Sequence, residues 1–364
     1  MREMQFTALV MMTVYALILI LLLPRRVKRD RVANRSRWLM AGGLGLLAMQ
    51  FLVQYIFGFR LMGVTQAVMV NLAFFIPVTA LISLSVLNLQ RQGRLSALEK
   101  WIAIPLWLAA MAVMLAAVMQ GPPYNSHWML WSEVGASLVY GVLQLYYSWL
   151  HIKELKRMET VLDDYYDRDE EGLLQWMRWS TVLLAVLVLF VPVFIFTSGI
   201  LLIVYALVFI FGFSAMWFCF SRYLMSGDAS RVQEAEGSEE NRVKGAMSAA
   251  AQLTSEEKAY VNQIVERWLS HDGHLRKGLT KPMVVSETGL SDEQLTGWYH
   301  ANGHDSFKQW INALRVEKAK ELLKENPTWS NESVADQCGI SRSRFHSIFK
   351  DAVGLSPTEY QAQQ

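Results

Sequence analysis

Long apolar runs separated by short polar segments fill the first 220 residues, after which the pattern turns amphipathic. Seven runs, at 6–23, 38–57, 64–89, 101–119, 128–149, 180–196 and 198–218, are each long enough to cross ~30 Å of hydrocarbon at ~1.5 Å per residue. The last two are nearly continuous through Thr197, Ser198 and Gly199, so six crossings is the alternative count. From Thr254 onward the apolar positions recur at helical spacing, as in Tyr260, Ile264, Val265, Trp268 and Leu269. The pattern predicts an all-α chain: a polytopic transmembrane helix bundle over 1–225 followed by a soluble helical domain over 253–364. Between them, residues 226–252 are small, polar and acidic, and read as a flexible linker.

Composition agrees with two regimes. A chain of 364 residues with 53% hydrophobic content and a mean hydropathy of +0.21 is too long for one ordinary domain and too apolar for an ordinary soluble protein. Charge gives the orientation. Arg25, Arg26, Lys28, Arg29, Arg31, Arg35 and Arg37 follow the first run; Arg91, Arg94 and Lys100 follow the third; Lys153, Lys156, Arg157, Arg168 and Arg178 follow the fifth. The alternate segments carry only Arg2 and Arg60. The bias predicts an outside N-terminus, a multi-pass protein of the inner (cytoplasmic) membrane, and, with seven crossings, a cytoplasmic C-terminal domain. The basic cluster follows the first apolar run rather than preceding it, which is the reverse of a cleavable signal peptide. Cys219 and Cys338 are far apart and form neither a disulfide framework nor a metal-ligand spacing. Cys338 reads as a small core residue.

Two helix–turn–helix patterns lie in the soluble domain. In the second, about 331–350, Val334 and Ala335 precede a turn at Gly339 and Ile340, and Phe345, Ile348 and Phe349 line one face of the following helix. In the first, about 280–302, the turn is Gly289, Leu290 and Ser291, and Leu295 occupies the place of Phe345. The turns are about 50 residues apart, joined by a helix of about 17 residues or ~25 Å. Two heads so spaced suit successive major-groove faces one helical turn, ~34 Å, apart.

These residues resemble the AraC/XylS family of transcription regulators. The resemblance covers 255–360 and rests on Leu295, Tyr299, Ser306, Phe307, Arg315, Ala319, Leu322 and Leu323, then on Ala335, Gly339, Phe345, Phe349, Lys350, Gly354, Ser356, Pro357 and Tyr360. It departs from the family pattern at Ile340, where Phe is usual, and at Gln361. The resemblance implies a seven-helix DNA-binding domain and a separate sensing domain. For the second head, Arg342, Ser343, Arg344, His346, Ser347 and Lys350 are the expected DNA contacts. For the first, they are Gln294, Thr296, Gly297 and His300, on a helix without Lys or Arg. Trp298 and Tyr299 are expected in the core, and Arg315 in a structural ion pair. Residues 253–364 carry 13 Lys and Arg against 15 Asp and Glu, a poor balance for a partner that binds through phosphate neutralisation.

Polar groups inside the apolar runs mark either a sensing pocket or interhelical hydrogen bonds. Gln50 and Gln54 share one face, Asn71 lies in the third run, and Glu133, Tyr140 and Gln144 share another face with Ser137. His127, Trp128 and Trp131 fringe that face. The acidic stretch Asp163, Asp164, Asp167, Asp169, Glu170 and Glu171 begins like a calcium loop, but its twelfth position is Arg178. It reads as a solvated helix. No phosphate-binding loop, nucleophile elbow or kinase signature occurs, so the chain reads as a non-enzyme without cofactor or metal. The function expected is a membrane-embedded one-component transcription regulator. Its partners would be double-stranded promoter DNA, membrane lipid, a possible second copy in a homodimer, and an unknown small-molecule or membrane-derived signal. The alternative is a membrane receptor or transporter-like protein whose helix-turn-helix domain binds another protein.

Overall fold

The computed structural model of the chain describes residues 2–58, 64–119, 127–167, 171–195, 200–248 and 255–363; for 64–67, 171, 187–195, 200–202, 205, 239–248 and 255–256 it describes the backbone alone. Arg60, Thr197 to Gly199, Arg168, Asp169, Glu170 and Thr254 lie outside the described residues. The described residues are helical, with no strand and a single isolated antiparallel bridge between Tyr166 and Thr280. The chain divides into two compact units, Met1–Arg157 with Leu173–Arg231, and Met158–Gly172 with Val232–Gln364.

The first unit is built from α1 (Arg2–Leu21), α2 (Arg25–Arg29), α3 (Arg31–Phe57), α4 (Val64–Gln90), α5 (Ala97–Trp101), α6 (Ala103–Met119), the first part of α7 (His127–Tyr165), α8 (Glu171–Ile195) and α9 (Ile200–Ser226). Five segments among the described residues are long and apolar enough to cross a membrane: Arg2–Leu21, Arg31–Phe57, Val68–Gln90, Ala97–Met119 and Ala206–Ser226. The expected runs at 128–149 and 180–196 fall on α7 and α8 and are not among the five. On α7 the run is diluted by Ser132, Glu133, Ser137 and Gln144, all buried; on α8 the side chains beyond 186 lie outside the described residues.

On α1, Ala8, Met12, Ala16 and Leu19 are buried, whereas Phe6, Val10, Val14 and Leu17 on the other face are exposed. A helix facing water would be polar there. The last carbonyls of α1, left open by helix geometry, accept from a buried arginine: Arg37 Nη1 donates to Leu19 O at 3.3 Å and Ile20 O at 3.0 Å. A second polar cluster joins α4, α5 and α7. Arg91 pairs with Glu99 and, at 2.8 Å, with Glu154, which also takes Arg157 at 2.8 Å. The basic residues after the apolar runs are thus partly consumed in fastening helix ends.

The second unit takes the end of α7 and most of α10 (Asp228–Ser248), then α11 (Ser255–Ser270), a 3₁₀ turn at Gly273–Leu275, α12 (Lys281–Thr288), α13 (Asp292–Ala301), α14 (Phe307–Glu325), α15 (Asn331–Gln337), α16 (Arg342–Val353) and α17 (Pro357–Ala362). Two expectations need correction. The flexible linker is a helix over Asp228–Ser248, because Val232, Ala235 and Glu236 fall at i, i+3 and i+4 and are buried along one face. The acidic stretch expected as a solvated helix is helical through Tyr165, but Asp163, Asp164 and Asp167 are paired with Lys308, Lys281 and Arg315 within the second unit.

Two small hydrophobic cores share α14. Its first half supplies Phe307, Trp310 and Ile311 to a core with Val265, Leu295 and Tyr299. Its second half supplies Val316, Ala319 and Leu323 to a core with Val334, Phe345 and Phe349. One helix thereby fixes both heads, and its 19 residues span about 28 Å.

The turns of both heads are glycines in the left-handed region, Gly289 at φ +70° and Gly339 at φ +68°. Their surroundings differ. A Cβ at Gly289 would meet open space, whereas one at Gly339 would collide with the Leu275 carbonyl. Gly289→Ala is expected to cost about 1 kcal/mol, the price of an L residue in that conformation, and Gly339→Ala at least about 2 kcal/mol more, since backbone must move. Hydrogen exchange of the α12–α13 and α15–α16 amides in the full chain measures both; equal losses at the two turns would contradict the packing at Gly339.

Cys338, fully buried in the second core, has its thiol pushed up to about 12 by burial. Alkylation at pH 8 is therefore expected to be roughly a thousandfold slower than for a free cysteine and to recover on denaturation, as read by mass spectrometry of the Cys338 peptide.

Candidate nucleic-acid interface

In the second head, Ser330 caps α15 by accepting from Ser333 N at 3.1 Å, and Val334 and Ala335 pack inward. Cys338, Gly339 and Ile340 reverse the chain, and α16 starts at Arg342. The sequence of α16 divides cleanly by period. Phe345 and Phe349 are buried; Arg342, Ser343, His346, Ser347 and Lys350 are exposed, at i, i+1, i+4, i+5 and i+8. Such spacing puts five of the six expected contacts on one helix face. Arg344 is half-buried and off that face; its carbonyl accepts from Ser347 Oγ at 3.0 Å.

Arg342 is engaged by acids of the preceding helix, pairing with Glu332 and, at 3.4 Å, with Asp336. Asp336 also takes Lys277 at 2.9 Å. These pairs are exposed, so each is worth little, and they are exchangeable for another anion. A cavity of about 540 Å³ lies beside this head, with Asp167, Arg315, Asp336, Gly339, Arg342 and Arg344 in its lining.

The first head repeats the plan with different chemistry. Ser291 and Gln294 close a capping box: Gln294 N donates to Ser291 Oγ at 3.2 Å and Ser291 N to Gln294 Oε1 at 3.0 Å. Gln294, Gly297 and His300 lie on the outer side of α13, Gln294 and Gly297 half-buried and His300 exposed. Thr296 is buried, with its hydroxyl 3.5 Å from that of Tyr299, and so does not join the outer side as the sequence suggested. Tyr299 is fully buried; Trp298 is half-buried and donates to Asn262 Oδ1 at 3.4 Å.

Arg315 sits between the two cores, buried on α14. Its Nε donates to His274 O at 2.8 Å, and Nη2 to Arg276 O and Asp167 Oδ2, both at 2.6 Å. The expected ion pair exists. Its partner lies just beyond the end of α7, a relation no sequence pattern signals. Burial, with the charges of Arg315 and Lys318 acting in the same direction, holds the nearby His274 below the usual histidine range.

In the first unit, Gln50 and Gln54 both donate to Asn71 Oδ1, at 2.7 and 3.1 Å, which brings three of the sensing candidates together. Glu133, Tyr140 and Gln144 are buried along α7. Tyr140 shares a hydrogen bond with Thr79, and Gln144 donates to Ser148 at 3.2 Å. His127 is exposed at the start of α7 and stands apart from them.

Residues 284–363 match a family model described as a helix-turn-helix domain. The xylose operon regulatory protein of Escherichia coli strain K12 is 31% identical over 88 residues, which are 24% of this chain and 22% of that protein; proteins of the same name from strains O6:H1 and O157:H7 match equally. The chain thus spans about a fifth of the length of the curated relatives it matches. No solved structure matches. With two heads on one connecting helix, and a family match over the second and most of the first, the C-terminal segment is a helix-turn-helix domain of the AraC/XylS type.

Proposed function

We propose that the chain is a membrane-embedded one-component transcription regulator whose C-terminal domain binds promoter DNA in the cytoplasm under control of its apolar unit. The observation that carries the reading is the outer face of α16: Arg342, Ser343, His346, Ser347 and Lys350 project together from the helix that follows the Gly339 turn. Arg342 and Lys350 supply charge for phosphate or guanine, and Ser343, His346 and Ser347 supply adaptable hydrogen bonds. On α13 the role falls to Gln294, Gly297 and His300, by hydrogen bonding and close approach. The outward apolar face of α1 and the five long apolar segments support embedding in lipid. The joined Gln50, Gln54 and Asn71, and the buried Glu133, Tyr140 and Gln144, are the groups proposed to respond to a signal.

A second reading has one observation in its favour. Arg342 is already paired with Glu332 and Asp336, and the domain is slightly acidic, which suits a protein partner. The two readings separate experimentally. Selection from random duplexes by the full chain in lipid nanodiscs is expected to return a preferred sequence with two half-sites about one helical turn apart; recovery of none at low salt would favour the protein partner.

On the selected duplex, Lys350→Ala is expected to weaken binding uniformly and lower the salt slope by about 1, while Arg342→Ala costs ~1–3 kcal/mol. Fluorescence anisotropy across a salt series measures both, and unchanged affinity in the double variant would remove α16 as the reading helix.

A further inference from the structure

The domain holds an anion site that is already filled, by a carboxylate of the same chain. Asp164 accepts from Lys281 Nζ at 2.6 Å, from the Tyr299 hydroxyl, and from Phe307 N, the first amide of α14, at 3.4 Å. Lys281 is 3% and Tyr299 0% accessible, so this is a built pocket rather than a surface contact. An ammonium, a hydroxyl and the first amide of a helix (its N-cap, Ser306, takes Gln309 N instead) form a donor set that binds a phosphate oxygen. On either side the same segment makes two further pairs, Asp163 with Lys308 at 2.8 Å and Asp167 with the buried Arg315 at 2.6 Å. Backbone bonds fasten its end: Asp167 N donates to Leu279 O at 3.1 Å, and Tyr166 bridges Thr280.

We propose, resting on the DNA-binding reading above, that Asp163–Asp167 is an internal competitor for DNA, whose three carboxylates occupy cations that backbone phosphates of the duplex would otherwise neutralise. Docked, the segment occupies Lys281, Lys308 and Arg315, three of the 13 Lys and Arg that residues 253–364 set against 15 Asp and Glu. Released, it takes three negative charges away from Lys281, Lys308 and Arg315, while Lys281 keeps Asp292 at 3.3 Å and Arg315 its two backbone carbonyls. Binding that depends on phosphate neutralisation must then strengthen and become more salt-dependent. Asp163 and Asp164 lie in the last turns of α7, the helix that also carries Glu133, Tyr140 and Gln144. By linkage, DNA must in turn loosen the segment.

Two measurements on the full chain in nanodiscs test this, with a 30-base-pair duplex of random sequence as probe. The triple variant D163N/D164N/D167N is expected to bind at least ~10-fold tighter at low salt, with a steeper salt slope; E317Q/E321Q/E325Q, which removes as many charges from α14, is expected to gain less than threefold. Equal gains, or no gain with the fold intact, overturn the proposal and leave the DNA-binding reading standing. If the triple variant fails to fold, the second measurement decides: in the wild-type chain, exchange at the Asp167 amide is expected to speed up at least ~10-fold on saturation with duplex and not with inorganic phosphate. Persistent protection under saturating DNA overturns the competitor. Release by inorganic phosphate alone assigns the pocket to the free anion and overturns it equally. Absence of duplex binding by every form, at low salt, overturns the DNA-binding reading and the proposal with it.

Discussion

A buried guanidinium in a small helical domain has to be met by enough acceptors to offset its lost hydration, and Arg315 shows how the second unit arranges this. It spends Nε on His274 O and Nη2 on Arg276 O and Asp167. The 3₁₀ turn, the connecting helix and the end of α7 are therefore tied at one point, midway between the two hydrophobic cores. Leu275, between the two residues whose carbonyls accept from Arg315, places its own carbonyl where a Cβ at Gly339 would stand. The turn of the second head is thus held against the same short segment that Arg315 fastens. Neither core is large. Their relative placement rests on α14 and on this polar junction, where geometry rather than apolar area decides.

The same logic separates the heads chemically. In the second, period alone sorts α16 into a buried aromatic edge and an exposed polar face. In the first, polar groups of α13 turn inward to serve the pocket around Asp164: Tyr299 binds its carboxylate, and Thr296 lies against Tyr299. One head offers cations outward and the other does not. The division of labour between a strongly and a weakly electrostatic head follows from which helix had to accommodate the end of α7.

Much of this was legible in the sequence, and the exceptions share a cause. The apolar runs, the two glycine turns, the shared helix and the face of α16 all follow from local periodicity, which a single sequence displays. A threonine on an amphipathic helix reads as surface unless a partner is known, and the burial of Thr296 beside Tyr299 has no signal in the sequence. The acids at 163–167 read as solvated because their partners Lys281, Lys308 and Arg315 lie 117 to 148 residues further on. Residues 228–248 read as coil because, among the residues whose side chains are described, the buried face shows Val232, Ala235 and Glu236, too few apolar groups to stand out in an acidic stretch. In each case the missing information was tertiary.

The interrupted makeup of the second unit has a consequence for biosynthesis. Residues 158–172 leave the ribosome before α8 and α9, and their counterparts on α14 follow more than a hundred positions later. A nascent chain must carry an unsatisfied acidic strap through the whole interval in which two apolar helices are being settled. Closing so long a loop is entropically costly, though the cost grows slowly with length, and non-local contacts of this kind form late. The two units are consequently ordered in time: the apolar unit is synthesised before the domain that shares α7 can close.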